Sequence, residues 1–319
     1  MSVPGDRPSM EPLNRMATEL VDEAIDFADE LAIAVKQLDS EATVLDFGVG
    51  VPGGIEAGLM LAEIQTAGLA TLDSTLDEID GTPRTHVELS TDYPGLALLG
   101  AQKAGWEVSV EGFEGLGSGP ARALVAEEEE YARLGYQDDF EFAVLALEAD
   151  TLPDEPVVSE VADRAGVPES GVFLPTYATA SLTGSVTSAA RVAELALFRL
   201  LELGYDPLDV LSASASAPVA PVAGEESTAM ARTTDALAYG GQVHLVVSEP
   251  FDRFDEVVST AGEAYDEPFE AIFESVEWAH EELATALFGP AQVTVDVVGG
   301  DTHVYGQRRE DLLAESFGL

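Results

Sequence analysis

A chain of 319 residues, 46% of them hydrophobic, is long enough for one large core or about two ordinary domains, which excludes a disordered protein. With no cysteine there are no disulfides, thiolate metal sites or cysteine nucleophiles, and His86, His244, His280 and His303 are too scattered to predict a metal site. Sixty acidic against fourteen basic residues leave a net charge of −46, spread along the chain. Such a surface repels nucleic acid and anionic membranes and gains from salt that screens its self-repulsion.

The opening MSVPGDRPSMEP has neither the basic nor the apolar region of a signal peptide, and no run of apolar residues reaches the ~18 of a membrane span. A cytoplasmic protein in a salt-rich cell is expected. Only two cations are lysines, Lys36 and Lys103.

In chain order, Met16, Leu20, Ala24, Phe27 and Leu31 recur at helical spacing and predict a helix over 11–38. ATVLDF predicts a buried strand, followed by a glycine-rich turn and a helix GIEAGLMLAEIQTAG that ends at Gly68. HVELSTDYP reads as strand and turn, GLALLGAQKAG as a helix stopped by Gly105, and WEVSVEGF as a strand. A helix is expected from Pro120 to before Gly135, with Glu127 to Glu130 on a solvated face. FAVLALEAD and VFLPTYA read as strands around the helix VVSEVADRAG, and a long helix is expected over 184–203. Residues 212–224, SASASAPVAPVAG, read as an extended loop. Then come a strand QVHLVVSE, a helix over 266–289 and a terminal hairpin from AQVTVDVVGG and HVYG. This order predicts an α/β protein. Its two parts are expected near residues 1–150 and 151–319 unless they are non-contiguous.

Gly48, Gly50 and Gly53 have the GxGxxG spacing between a strand and a helix, with Asp73 twenty residues beyond. On their own they point to a Rossmann-type oxidoreductase or S-adenosylmethionine methyltransferase, or only to a tight turn that needs glycine. Pro52 weakens the first reading because it removes one amide from the phosphate cradle.

Arg191 and Glu194 stand at i and i+3 on one helix face with Phe198, a spacing that suits a catalytic pair or an ordinary surface ion pair. Gly117, Ser118 and Gly119 precede Pro120 at a helix start, with Arg122 in the first turn against the dipole. That placement suits an anionic group of a ligand, or a simple Ser118 cap. Lys103, retained where lysine is rare, is a substrate-binding candidate, and Asp92, Tyr93 and Asp235 flank turns, where Tyr93 is placed to stack on a flat ring.

In sequence order, DFGVGVPGGIEAG, TDYPGLALLGAQKAGW, LGSGPARAL, GYQDDFEFAVLALEADTLP, ASLTGSV with AARVAE, APVAPV, TTDALAYGG and the final ESFGL resemble the archaeal methenyltetrahydromethanopterin cyclohydrolases across nearly the whole chain. The chain departs from that pattern at Arg232 and Thr234, where the family has Lys and Asn, and at Ala190, where it has Gly. The resemblance implies two α/β parts with a substrate pocket between them, a homotrimer, no metal and no separate cofactor. It implies hydrolysis of the methenyl bridge of a reduced pterin, with Arg191 and Glu194 as the catalytic pair. A pterin-binding protein without turnover is the non-enzymatic alternative, and the sequence leaves open whether the carrier is methanopterin or folate.

The charge generates a direct expectation. Ellipticity and activity rise together as potassium chloride goes from low to multimolar concentration; a protein fully folded and active in dilute buffer would contradict it.

Overall fold

Leu13, Ala17, Val21 and Ala24 fall on one side of the first helix and are fully buried, so helix α1 (Leu13–Asp26) forms by laying this stripe on the core. Its first amides are capped from far along the chain, where the buried Asp138 carboxylate accepts from Leu13 N, Asn14 N and the Asn14 side chain at 2.8–3.2 Å. The computed structural model describes residues 10–262, 265–278, 283 and 285–319.

After α1 the chain runs through α2 (Ala28–Leu31), β1 (Ala34–Gln37), β2 (Thr43–Gly48), α3 (Ile55–Gln65), β3 (Thr71–Ile79), β4 (Thr82–Thr91) and a π-helical segment, Gly95–Gln102. It continues with β5 (Ala104–Val110), β6 (Phe113–Ser118), α4 (Ala121–Val125), α5 (Glu129–Leu134), β7 (Ala143–Val144), β8 (Ala146–Glu148), α6 (Glu155–Ala165) and β9 (Val172–Tyr177). The remainder is α7 (Leu182–Ala189), α8 (Val192–Glu202), β10 (Val210–Pro218), α9 (Glu226–Gly240), β11 (Gln242–Val247), α10 (Phe269–Ser275), β12 (Gln292–Val297), β13 (Thr302–Gly306) and α11 (Glu310–Phe317).

Two mixed sheets result, as expected of an α/β protein. The first has the order β1-β2-β9-β8-β6-β5, with β7 also on β9, and β9 runs parallel to β2, β7 and β8. The second has the order β13-β12-β11-β10-β4-β3 and is antiparallel except for β11 and β12. Each sheet draws strands from both sides of residue 150, so the sheets do not follow a single cut there.

Several expected elements are interrupted. The predicted helix over 11–38 stops at Asp26; Ala32, with φ 53°, reverses the chain, and Ala34–Gln37 pairs with β2 instead. The helix expected from Pro120 breaks at Ala126, also at φ 53°. The long helix over 184–203 breaks at Ala190–Arg191 into α7 and α8. The segment after Tyr93 is wound as a π-helix, and Gly105 lies in β5 rather than at a helix end. The loop expected over 212–224 is replaced, up to Pro218, by strand β10 between β4 and β11. Its period is two, with Ala213, Ala215 and Ala217 turned into the core and Ser214 exposed. Within 266–289 the expected helix is realised only as α10, Phe269–Ser275; Glu277 and Trp278, at φ 52° and 66°, break it, and His280 lies outside the described residues.

Asp235, expected near a turn as a substrate residue, sits inside α9 and is 1% exposed. Its two oxygens accept from Phe269 N at 2.9 Å and Ser316 Oγ at 2.6 Å, which ties α9 to α10 and α11. Burial pushes its carboxyl up to about 7, with Glu270 and Glu315 adding to the rise against the two hydrogen bonds. A carboxyl raised on folding stabilises the native state below its unfolded value and loses that contribution as pH climbs through the folded value. In molar potassium chloride, the melting temperature of Asp235→Asn relative to the parent therefore rises between about pH 4 and 7 and is flat above, whatever the cost of the acceptor it loses; a constant difference across that range would refute the role of the buried charge.

Candidate active site

Chain direction explains where Arg191 and Glu194 come together. Helix α7 packs on α3 and α9 and touches both β2 of the first sheet and β4 and β10 of the second, whereas α8 packs on the π-helical segment, β10 and β11. Ala190 and Arg191 lie between them, so the pair sits at a helix break where the chain leaves a helix that touches both sheets for one that packs on the second. Glu194 is in the first turn of α8, 2% exposed, where the helix dipole favours negative charge. Arg191 Nε and Nη2 both donate to Glu194 Oε2, at 3.1 and 2.8 Å. Both Arg191 donors thus go to the same oxygen and leave Oε1 clear of the guanidinium. Burial works against the Arg191 charge, but Glu194, Tyr177 and Glu148 outweigh it and hold the guanidinium above its ordinary range. This is not the exposed helix pair of the bland reading.

Two further groups join this site. Gln102, fully buried at the end of the π-helix, donates to the Ala190 carbonyl at 3.1 Å and so braces the α7–α8 break. Lys103 follows it, with Nζ 4.8 Å from the centroid of the Phe198 ring and 2.9 Å from Glu130 Oε1. Phe198 lies one turn beyond Glu194 on α8, so Lys103, Phe198, Glu194 and Arg191 follow one helix side. Glu130, expected on a solvated face, is 3% exposed and holds two cations.

Arg122 does something other than meet a ligand anion. It is 0% exposed, and its donors go to Glu128 Oε1 at 2.9 Å, Glu130 Oε1 at 2.7 Å and the Lys103 carbonyl at 2.5 Å. These bonds fix the end of the π-helix and with it Lys103. Gly105 is needed beside them because a Cβ there would come within 2.7 Å of both Arg122 Nε and Glu128 Oε1. The GSG segment is likewise internal: Gly117 and Ser118 pair within the first sheet, and Gly119 N donates to the Ala101 carbonyl at 2.9 Å. Ser118 does not cap α4, since its hydroxyl accepts from Gln65 Nε2 at 2.8 Å. Asp92 and Tyr93 line a separate cleft of about 250 Å³ with Leu69, Thr71 and Ser212, and Tyr93 is half exposed. A larger cleft, about 540 Å³, lies on the second sheet around Ser214, Gln242 and His244, and neither Arg191 nor Glu194 lines it. Size alone points away from the buried pair.

The glycine turn is not a free phosphate cradle. Asp46 accepts from the amides of Gly48, Val49 and Gly50 at 2.7–3.0 Å, so these donors are already bound to a carboxylate. Asp73 is on β3 of the other sheet. The downstream Gly58 serves packing: a Cβ there would lie 2.5 Å from Val186, so its absence lets α3 approach α7.

Among the described residues, no cluster of three or more His, Asp or Glu is arranged to hold a metal, and no helix is long and apolar enough to cross a membrane. Sequence reasoning missed Gln65, Gln102, Glu130, Glu148 and Tyr177 as polar groups of this region; the Gln in GAQKAGW was the available clue.

Residues 12–317 match the family model described as Cyclohydrolase (MCH). A methenyltetrahydromethanopterin cyclohydrolase of Halobacterium salinarum is 60% identical over 310 residues, covering 97% of this chain and 100% of the relative. Those of Methanocella arvoryzae and Methanothermobacter marburgensis are each 38% identical, with 97% of this chain covered and 99% and 100% of the relatives. The similarity runs through the α7–α8 break as well as the two sheets, and the chain belongs to the cyclohydrolase (MCH) family.

Proposed function

We propose that the protein reversibly hydrolyses the 5,10-methenyl bridge of a reduced pterin of the methanopterin type to the 5-formyl form. The observation that carries this reading is the end-to-end 60% identity to a relative of that named activity. The buried Arg191–Glu194 pair supports it chemically.

The substrate carbon lies between two nitrogens that share a positive charge, so it accepts water without a covalent enzyme nucleophile. The water must lose a proton as its oxygen bonds to that carbon, and the departing nitrogen must gain one as its bond breaks. Glu194 can serve both steps: Oε1 takes the proton from water and returns it to the nitrogen. Loss of the hydroxyl proton then leaves the formyl group, so one water is added and one proton is released. Arg191 keeps Oε2 engaged. Phe198 and Lys103, farther along α8, suit the wall of the pocket.

The finer features follow the family resemblance: a cytoplasmic homotrimer, with the pterin as substrate and no separate cofactor or metal. Asp46 occupying the glycine turn weighs against a methyltransferase.

Loss of methenyl absorbance on adding the protein tests the activity, with methenyl-folate run alongside; binding without turnover would identify a carrier-binding protein instead. Glu194→Gln keeps size but loses the exchangeable proton, so kcat falls by about 10² to 10⁴, the usual worth of general acid/base catalysis, with little change in affinity. Arg191→Leu shifts the acid limb of the pH–rate profile to higher pH because a positive neighbour is removed. Near-normal turnover of folded Glu194→Gln would make the pair structural.

A further inference from the structure

The π-helical segment ends at Lys103, whose amide closes the last wide turn on the Leu98 carbonyl at 2.8 Å. A helix end leaves its final carbonyls without intrahelical partners, and here four of them are met from outside. Arg122 Nη1 donates to the Leu99 carbonyl at 3.4 Å and to that of Lys103 at 2.5 Å, the Tyr131 hydroxyl to Gly100 at 2.9 Å and Gly119 N to Ala101 at 2.9 Å. Glu130, beside Tyr131 on α5, completes the grip: its Oε1 accepts from Arg122 Nη2 at 2.7 Å and from Lys103 Nζ at 2.9 Å. In one unbroken helix Arg122 and Glu130 would lie about 12 Å apart along the axis. The break at Ala126 brings both to the same helix end. A carboxylate that is 3% exposed is costly to bury unless paired, and a single oxygen of this one serves two cations.

We propose that Glu130 is a positioning residue for the pterin site, acting through Lys103. The two ends of Lys103 are fixed separately, its backbone carbonyl by Arg122 and its ammonium by Glu130. The ammonium is thereby set 4.8 Å from the centre of the Phe198 ring, which stands one turn beyond Glu194 on α8. The neighbouring Gln102 donates to the Ala190 carbonyl at 3.1 Å. The end of the π-helix is thus pinned to α8 at the helix break through Gln102 and at Phe198 through Lys103, and only the second contact depends on Glu130. Without that carboxylate the flexible lysine stem is free to leave the ring. The cost then falls on binding of the substrate ring system rather than on the Arg191–Glu194 pair. The inference rests on the proposed hydrolysis, with Lys103 and Phe198 as part of its pocket wall.

The test uses the full-length protein in molar potassium chloride. Glu130→Gln keeps the shape of the side chain but removes its charge. KM for the 5,10-methenyl pterin should rise about tenfold or more, the worth of one hydrogen bond to a charged group, with kcat within about twofold. That is the reverse of the split expected for Glu194→Gln. In a Lys103→Met background the same substitution should change KM by less than about twofold, because the group it acts on is gone. Lys36 and Lys103 are the only lysines and Lys36 is exposed, so NMR of protein isotope-labelled at lysine Nζ reads two ammonium groups. The Lys103 signal should exchange its protons slowly, shift when the pterin is added, and lose its protection in Glu130→Gln. Unchanged KM in folded Glu130→Gln, or an equal rise in the Lys103→Met background, would overturn the inference while leaving the hydrolysis intact. Should Glu130→Gln not fold, the parent spectrum decides: a Lys103 signal that exchanges as fast as that of Lys36, or is unmoved by the pterin, overturns the proposal. Absence of turnover in the parent protein would instead overturn the underlying reading.

Discussion

The buried ion pair between Arg191 and Glu194 is the interaction on which the proposed active site depends. In a low-dielectric setting, removing one partner of such a pair costs about 3–5 kcal/mol, whereas replacing both with apolar groups is often neutral or stabilising. A pair of this kind is a poor device for stability alone. Its position at the α7–α8 break, with both guanidinium donors on Glu194 Oε2 and Oε1 clear of them, is better matched to chemistry. Helix continuity is given up at that point, with Gln102 bracing the buried Ala190 carbonyl.

The scarcity of cations gives this pair context. Only fourteen of 319 residues are Lys or Arg, and most of the acidic excess faces solvent where salt screens it. Yet Arg122, Arg191 and Lys103 are inside or nearly so, each against a buried glutamate. Two of these cations form one unit, in which Arg122 grips Glu130 and the Lys103 carbonyl while Lys103 reaches the same glutamate and the Phe198 ring. The interior has ordinary ion-pair chemistry beneath an extreme surface.

Much of the fold was legible because apolar period distinguishes strand from helix, as in β2, α3, β9 and the β12–β13 hairpin. What failed has specific causes. Single alanines in the left-handed region, Ala32 and Ala126, ended helices that periodicity extended, since alanine is ordinarily a helix former. The alternation of Ala and Ser in β10 carried little hydrophobic contrast and read as loop, although its pairing with β4 and β11 makes it interior to the second sheet. At the site, the i, i+3 spacing located Arg191 and Glu194. Arg122 and Glu130 were misread because their partners lie across turns, which local spacing does not reveal. Glu148 and Tyr177 meet only through strand register, and register is a tertiary fact.

The central claim is that reaction occurs at the α7–α8 break and not in the larger open cleft around Ser214 and His244. A crystal structure of the Glu194→Gln protein with a bound 5,10-methenyl pterin tests it directly. The expected result is the methenyl carbon beside residue 194, with an ordered water on the side-chain atom replacing Oε1 and Phe198 against the ring system. Pterin density confined to the face of the second sheet, with Arg191 and residue 194 untouched, would contradict it.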